Sequence, residues 1–350
     1  MDDIKKVWDY FGLNYDEERP LIIAEVGANH NGDLSLAKEM ISAAKSSGVD
    51  AIKFQTSTLN GLWTNESMDS DLNVGMYKGK RRKYIEKVIF NHEEWYEISH
   101  YAKKENILFI STPFDFESVD LLDQLEVPIF KIASMDINNL KFLEYISQKG
   151  KPIILSTGMS NIDEIKNAIS TCYAQNNKRL VLLHCTSIYP TPLKLANMNM
   201  MKSLKDLFEI PVGYSDHTIG FEAPMIATAL GATVIEKHMT MDKRDPKNEH
   251  FMCAEPEDFK IIVEKVSEVS RSLGSAEISF LNQEKEMRNF SRRSLVTNCF
   301  LKKNTILKET MLTAKRPGLG IPPDKIDEII GKKINKDIDK DSVIRWEDIS

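Results

Sequence analysis

The sequence predicts an α/β protein, a (β/α)8 TIM barrel followed by a small β-rich domain. Three observations carry that prediction. Short apolar runs of the kind buried on both faces of a parallel sheet recur eight times, each followed by a helix-like amphipathic stretch. Ionisable and hydroxyl side chains gather where those runs end, which is where barrels keep their chemistry. The last stretch, 291–350, changes texture to short β-rich runs such as SLVTNCFL and VIRW, broken by turns.

Composition sets the bounds. A chain of 350 residues suffices for a barrel with an appendage, and 42% hydrophobic with 28% charged residues is ordinary for a soluble globular protein. The net charge of −6 leaves no footprint for nucleic acid and no basic membrane face. The start lacks the apolar core of a signal peptide, and no later run is long enough to span a bilayer. Cys172, Cys185, Cys253 and Cys299 are scattered with no CxxC, so they read as reduced thiols of a cytoplasmic protein.

Residues 1–20 read as a charged arm or an N-terminal cap. The first strand, expected at 21–26, breaks off in Glu25, Gly27, Asn29, His30, Asn31 and Gly32. Asp33 is then a good N-cap for a helix with Leu34, Ala37, Met40, Ile41 and Ala44 on one face. No GxGxxG follows this strand, so a dinucleotide fold loses ground to the closed barrel. Further strands are expected at 51–55, 108–112, 129–133, 152–157, 180–185, 211–215 and 233–238. One interval is out of step, because 56–91 is an insertion of the length that forms lids or mobile segments. Its KGKRRK run is a solvated loop by default, with a phosphate contact as the sharper alternative. A closing helix at 256–273 carries Phe259, Ile262, Val263, Val266 and Val269 on one stripe and ends the barrel domain at 274. Residues 275–290 read as a linker, and 291–350 as a separate domain with one short helix near 324–329.

A closed barrel would bring its strand ends to one pocket. Those ends supply Glu25, Lys53, Gln55, Ser111, Thr112, Lys131, Ser134, Ser156, Thr157, Thr186, Ser187, Tyr189, Ser215, Asp216, His217, Glu236 and His238. Strand alternation puts Lys53 with Gln55, and Glu236 with His238, on a common side. A lysine between Ile52 and Phe54 would be costly against the helix layer, so inward is the cheaper solution. One such hydroxyl is more often a helix cap, and one such lysine as often a structural ion pair. Two lysines and several hydroxyls at strand ends together suit an anion carrying phosphate or carboxylate. His217 and His238 end neighbouring strands and are metal candidates. Paired imidazoles with a carboxylate and open positions suit a Lewis-acidic Mn²⁺, Fe²⁺ or Zn²⁺, with Glu25 as third ligand or base. Two imidazoles alone do not make a closed zinc site.

The residues that line up in this way resemble the sialic acid synthase family, which condenses phosphoenolpyruvate with an N-acetylmannosamine-type sugar. The matching motifs are IIAEVGANHNGD (22–33), IKFQT (52–56), STPFD (111–115), FKIAS (130–134), ILSTGM (154–159), HCTSIYPTP (184–192), GYSDHTIG (213–220) and ALGATVIEKH (229–238). The tail is similar to the family's antifreeze-like (SAF) domain through RRSLV (292–296), AKRPGLGI (314–321) and IGKK (330–333). The resemblance implies that Lys53, Thr112, Lys131, Ser134, Ser156 and Ser215 hold phosphoenolpyruvate, with Ser187 nearby. It implies a divalent metal, Mn²⁺ or Mg²⁺, on His217 and His238, and Glu25 and Gln55 beside the reacting atoms. Tyr189 would contact the acetamido sugar, and Arg316 would reach its acyl group from the other subunit of a domain-swapped homodimer.

Three departures from the family pattern touch sugar recognition. Ser134-Met135-Asp136 stands where many members have Ser-Gly-Glu, which makes Asp136 a shorter catalytic-site carboxylate. Ser187 stands where many have Asn. Lys247-Asn248-Glu249-His250 replaces the usual Gly-Pro-Asp-His, making Glu249 the counterpart of the aspartate. The rival readings are the same chemistry on a sugar 6-phosphate, a Schiff-base aldolase using Lys131 or Lys53, and a non-catalytic sugar-binding protein.

Overall fold

The computed structural model of the protein describes residues 2–14, 19–74, 77–245 and 250–350. They form two compact units, Met1–Gly274 and Ser275–Ser350. In the first, the chain lays down β1 (Leu21–Gly27), β2 (Ala51–Thr56), β3 (Asp71–Val74), β4 (Tyr77–Lys80), β5 (Leu108–Pro113), β6 (Phe130–Ile132), β7 (Ile153–Ser156), β8 (Leu180–Cys185), β9 (Val212–Asp216) and β10 (Val234–His238). All but β3 and β4 join one eight-stranded sheet in the order β5-β2-β1-β10-β9-β8-β7-β6. Every ladder in it is parallel. Strands β5 and β6 lie side by side, which brings the two ends of the sheet together as a (β/α)8 barrel.

Alternation along the strands sorts the core into two. Ile22, Ala24, Val26, Ile52, Phe54, Phe130, Ile132, Leu155, Leu182 and Ile235 face outward and pack under the helices. Leu21, Ile23, Ala51, Ile110, Ile129, Ile154, Val181, Leu183 and Val234 face inward and fill the amino end of the barrel. Val7, Trp8 and Phe11 close that layer from below. Of the two readings for this stretch the structure bears out the cap: it begins with a helix, Asp2–Tyr10, whose apolar stripe serves as a plug. Trp8 Nε1–H donates to the carbonyl of Arg19 at 2.9 Å, and Arg19 pairs with Asp50 at 2.6 Å, pinning the plug to the base of β2.

The insertion after β2 is structured: a short helix Asn65–Met68, the β3–β4 hairpin and a helix Arg81–Val88. The KGKRRK run, expected as a solvated loop, spans the end of this hairpin and the start of the helix. Lys80 pairs with Asp71 at 2.9 Å, Arg82 with Asp69 at 3.0 Å, and the Arg81 guanidinium stacks 4.1 Å over Trp63. One outward residue breaks the rule used above for Lys53. Lys237 is buried against the helix layer, where it pairs with Asp216 at 2.5 Å and donates to the Thr218 carbonyl at 2.6 Å. A buried partner on the next strand removes the cost of its position.

The second unit pairs β11 (Ser294–Thr297) antiparallel with β12 (Leu312–Lys315) over a core of Leu295, Leu301, Leu307, Leu312, Ile321, Ile329, Ile334, Ile338, Ile344 and Ile349. A helix, Lys285–Ser291, lies within the stretch expected as a linker. No described helix is long and apolar enough to cross a membrane.

Candidate active site

Above the apolar layer the inward positions turn polar. Glu25, Lys53, Gln55, Thr112, Lys131, Ser156, Cys185, Ser215, Glu236 and His238 continue the inward rows of their strands and line a cavity of about 130 Å³ at the carboxyl end. Loop residues Ser134, Ser187, Tyr189 and His217 join them. Strand register sets the neighbours: Glu25 sits opposite both Lys53 on β2 and His238 on β10, Gln55 opposite Thr112, and Glu236 opposite Ser215.

The floor of this cavity is a buried charge network. Lys53 pairs with Glu25 at 2.5 Å and lies 3.8 Å from Glu236, which is 3.7 Å from Lys131. Gln55 donates to Glu25 at 2.8 Å, Ser215 to Glu236 at 3.1 Å, Lys53 to Thr112 at 3.2 Å and Lys131 to Ser156 at 2.7 Å. Burial alone would raise the Glu236 carboxyl, yet the Lys131 and Lys53 ammoniums hold it at about 2. Burial raises Glu25, with the nearby Glu236 charge adding to it against the pull of Lys53. Burial pushes the Lys131 amine down. Two lysines face two carboxylates, so the formal charges on the floor cancel. A polyanion entering here meets donors already oriented, but little net positive charge.

The imidazoles sit at one side. His217 and His238 have ring centroids 5.4 Å apart, and Tyr189 lies 4.1 Å over His217. The carbonyl of Thr186 lies 3.0 Å from His217 Nδ1 and can only accept, so Nδ1 donates to it; burial pulls the ring's pKa down, but Cys185 and this carbonyl raise it on balance. Burial, with the His217 and Lys53 charges, pushes His238 down to about 3, leaving that ring neutral. Among the described residues no group of three His, Cys, Asp or Glu side chains converges to hold a metal. His217 and His238 would be the pair of imidazoles available to an open divalent site, with further positions left to substrate and water.

The loops above are tied to one another. Ser134 Oγ accepts from Gly158 N–H at 2.9 Å, joining the turns after β6 and β7. A Cβ at position 158 would fall 2.5 Å from Ser187 Oγ and 2.8 Å from Ser134 Oγ, so only glycine lets these turns approach so closely.

Of the strand-end residues expected here, Ser111, Thr157, Thr186 and Asp216 do not line the cavity; Ser111 bonds to Thr56, and Asp216 pairs outward with Lys237. Asp136 follows Met135 on a 3₁₀ turn, is absent from the cavity wall, and leaves its buried Oδ2 without a hydrogen-bond partner. Glu249 lies outside the described residues. Arg316 belongs to the second unit, directly after β12. Sequence reasoning placed Glu236 at a strand end without giving it a role, whereas it is the carboxylate between the two lysines. It also missed Cys185, which strand alternation would have found because Val181 and Leu183 point the same way. Phe114, Met135 and Met159, which complete the rim, follow their strands and carry no such signal.

Fold and cavity together define a (β/α)8 barrel with a buried network of two lysines and two carboxylates at its carboxyl end. Comparison with known proteins narrows this. Residues 40–278 match the NeuB family and residues 292–350 the SAF domain. The N,N'-diacetyllegionaminic acid synthase of Campylobacter jejuni is 40% identical over 332 residues, covering 94% of this chain and 99% of that one. The human N-acetylneuraminate-9-phosphate synthase is 35% identical, covering 93% of this chain and 91% of that one. The crystal structure of N-acetylneuraminic acid synthetase from Leptospira borgpetersenii, in complex with citrate, superposes with a TM-score of 0.70 at 34% identity, over 77% of this chain and 90% of that one. The chain belongs to the NeuB family and carries a SAF domain at its carboxyl end.

Proposed function

We propose that the protein condenses phosphoenolpyruvate with an N-acetylmannosamine-type aldose, or a related acetamido hexose, to give a nine-carbon 2-keto-3-deoxy sugar acid and phosphate. The observation that carries this reading is the Lys53–Glu25–Glu236–Lys131 network under a ring of hydroxyls, in a chain whose relatives are named as synthases of such acids. Lys53 and Lys131 hold the carboxylate and phosphate of phosphoenolpyruvate, and Thr112, Ser134, Ser156, Ser187 and Ser215 turn hydroxyls towards it. C3 of the enol then bonds to the aldehyde carbon. The cation left at C2 takes up water, and the C2–O bond to phosphate breaks. Glu25, raised by burial, is the carboxylate placed to take the proton of that water, and Gln55 keeps it oriented.

His217 and His238 would hold a divalent cation, Mn²⁺ or Mg²⁺, which supplies Lewis-acid polarisation of the aldehyde. Tyr189, beside His217 at the mouth, faces the sugar. The reading extends to a domain-swapped homodimer working in the cytoplasm, with Arg316 completing the sugar site of the other subunit. The lowered amine of Lys131 is what a Schiff-base aldolase would use, so that reading stays as the second.

One experiment separates them. Phosphate release from phosphoenolpyruvate is measured against a panel of acetamido aldoses, with Mn²⁺ or with EDTA. Release that needs both a sugar and a metal, and that His217→Ala and His238→Ala abolish, is the expected outcome. Metal-independent turnover trapped by borohydride would establish the aldolase instead.

A further inference from the structure

Behind the two imidazoles lies a buried ion pair that the chemistry above leaves unused. Lys237 and Asp216 form the last rung of the ladder between β10 and β9, on its outer side, and each immediately precedes one of the histidines. Lys237 is 3% exposed and Asp216 1%, and neither lines the cavity. Stability alone does not account for them. A buried ion pair is often no more stable than well-packed apolar side chains of the same volume. Outward positions elsewhere in this sheet carry such side chains, among them Ile22, Ile52, Phe54 and Ile235. What an ion pair has, and an apolar contact lacks, is direction.

The direction here is towards the turn that carries His217. Lys237 Nζ meets Asp216 Oδ2 at 2.5 Å and donates to the Thr218 carbonyl at 2.6 Å. Asp216 Oδ1 accepts from Thr218 N–H at 2.8 Å. Both the N–H and the carbonyl of Thr218 are thus held from outside the barrel by side chains on two different strands. The chain turns at His217 to bring them there. From the other side, Thr191 N–H donates to the His217 carbonyl at 2.9 Å, and His217 Nδ1 donates to the Thr186 carbonyl. His217 follows the end of β9, so no ladder bond of that strand fixes it, whereas His238 still belongs to β10. The ion pair therefore takes over where the ladder stops, and it does so from the residue next to His238.

We infer that Asp216 and Lys237 are positioning residues that fix His217 relative to His238 from behind the sheet, and so set the affinity for a divalent cation between them. The inference rests on the proposed metal role of the two imidazoles and adds the groups that aim them. Residues one step behind metal ligands commonly change metal affinity by ten- to a hundredfold when altered.

The test measures Mn²⁺ binding to the full-length protein at equilibrium, by the electron paramagnetic resonance signal of the free ion, with no substrate present. Asp216→Asn combined with Lys237→Met keeps the acceptor for Thr218 N–H and the packing volume while removing the ion pair and the bond to the Thr218 carbonyl. Its melting temperature without metal should stay near that of wild type, because both charges leave together. Its Kd for Mn²⁺ should rise about tenfold. Turnover lost at low Mn²⁺ should return at saturating Mn²⁺, with KM for phosphoenolpyruvate unchanged. Asp216→Asn alone gives a second reading that survives a loss of stability. The rise in melting temperature that Mn²⁺ produces in wild type should shrink in this variant, whatever its starting value. Variants that bind Mn²⁺ as wild type does, or that keep the full rise, overturn the inference and leave the metal reading standing. Wild-type protein that binds no Mn²⁺ overturns the metal reading and the inference with it.

Discussion

At the amino end of the barrel Leu21, Ala51, Ile154 and Val181 point inward and close on Val7, Trp8 and Phe11. Two or four residues further along the same strands, Glu25, Lys53, Ser156 and Cys185 point inward to a cavity. One sheet, with one alternation, thus carries an apolar plug at one end and four buried charges at the other. The plug gains free energy from burial and asks for no partners. The charged end must desolvate each ammonium and carboxylate and recovers the cost only where every group has an opposite neighbour. Stability and function are therefore separated along the barrel axis, and each end can be perturbed without the other.

The largest effect is expected at the charged end. Lys131→Met removes a cation proposed to hold the anion but leaves Glu236 its partner Lys53 at 3.8 Å. Activity should fall about a thousandfold, on the order of 4 kcal/mol in the transition state. Thermal stability should hold or rise, because a buried charge is exchanged for a well-packed apolar chain. Turnover within a few fold of wild type would move the anion site elsewhere.

At the plug the pattern should reverse. Trp8, 4% exposed, fills the space under the inward layer, and Trp8→Ala should cost about 3–5 kcal/mol of stability. Its kcat and both KM values, measured well below the lowered melting temperature, should match wild type. A specific loss of kcat would show that the plug shapes the cavity through the strands.

The plug is also where the sequence was hardest to read. Val7, Trp8 and Phe11 are spaced for one helix face, but they sit among Asp2, Asp3, Lys5, Lys6 and Asp9, so the local composition does not separate an arm from a cap. Only the closed barrel, with an open floor to cover, gives them a burial site. The cavity floor was legible because strand alternation is a strict two-residue rule: it put Lys53, Glu236 and His238 on the inner side. The same alternation puts Lys237 outward with Ile52, Phe54 and Ile235; what it does not identify is Asp216, the residue on another strand that removes the cost of that position. The rim was illegible for a different reason. Met135 and Met159 lie on turns, where position depends on a hydrogen bond between loops rather than on a period.

A third perturbation lies between the two ends, in the loop after β1. His30 is buried, stacks 4.5 Å from Phe90 and accepts from Gly32 N–H at 3.1 Å. Burial lowers it to about 4 from its ordinary 6.5. The unfolded chain therefore takes up a proton below 6.5 while the folded ring does not. Stability is fully present above that pH and is lost as pH falls towards 4, by up to about 1.4 kcal/mol per unit. His30→Phe should flatten this slope in urea midpoints taken from pH 7 to 4.5. An unchanged slope would assign acid sensitivity to other groups.

The smallest effect asks whether the charged end gives up stability for binding at the level of a single carboxylate. Burial raises Asp136 to about 6, and its Oδ2 has no hydrogen-bond partner. An acid raised in the folded state is tolerated there as the neutral form and penalised once ionised, so its cost is complete above pH 6 and fades below it. Asp136→Asn removes that cost, and should raise the melting temperature by about 1–3 °C at pH 8 and by less at pH 5. If the carboxylate accepts from a hydroxyl of the bound sugar, the same variant raises KM for the sugar several fold at pH 8 and leaves KM for phosphoenolpyruvate alone. A stabilised variant with an unchanged sugar KM would make Asp136 an unpaired charge with no part in recognition.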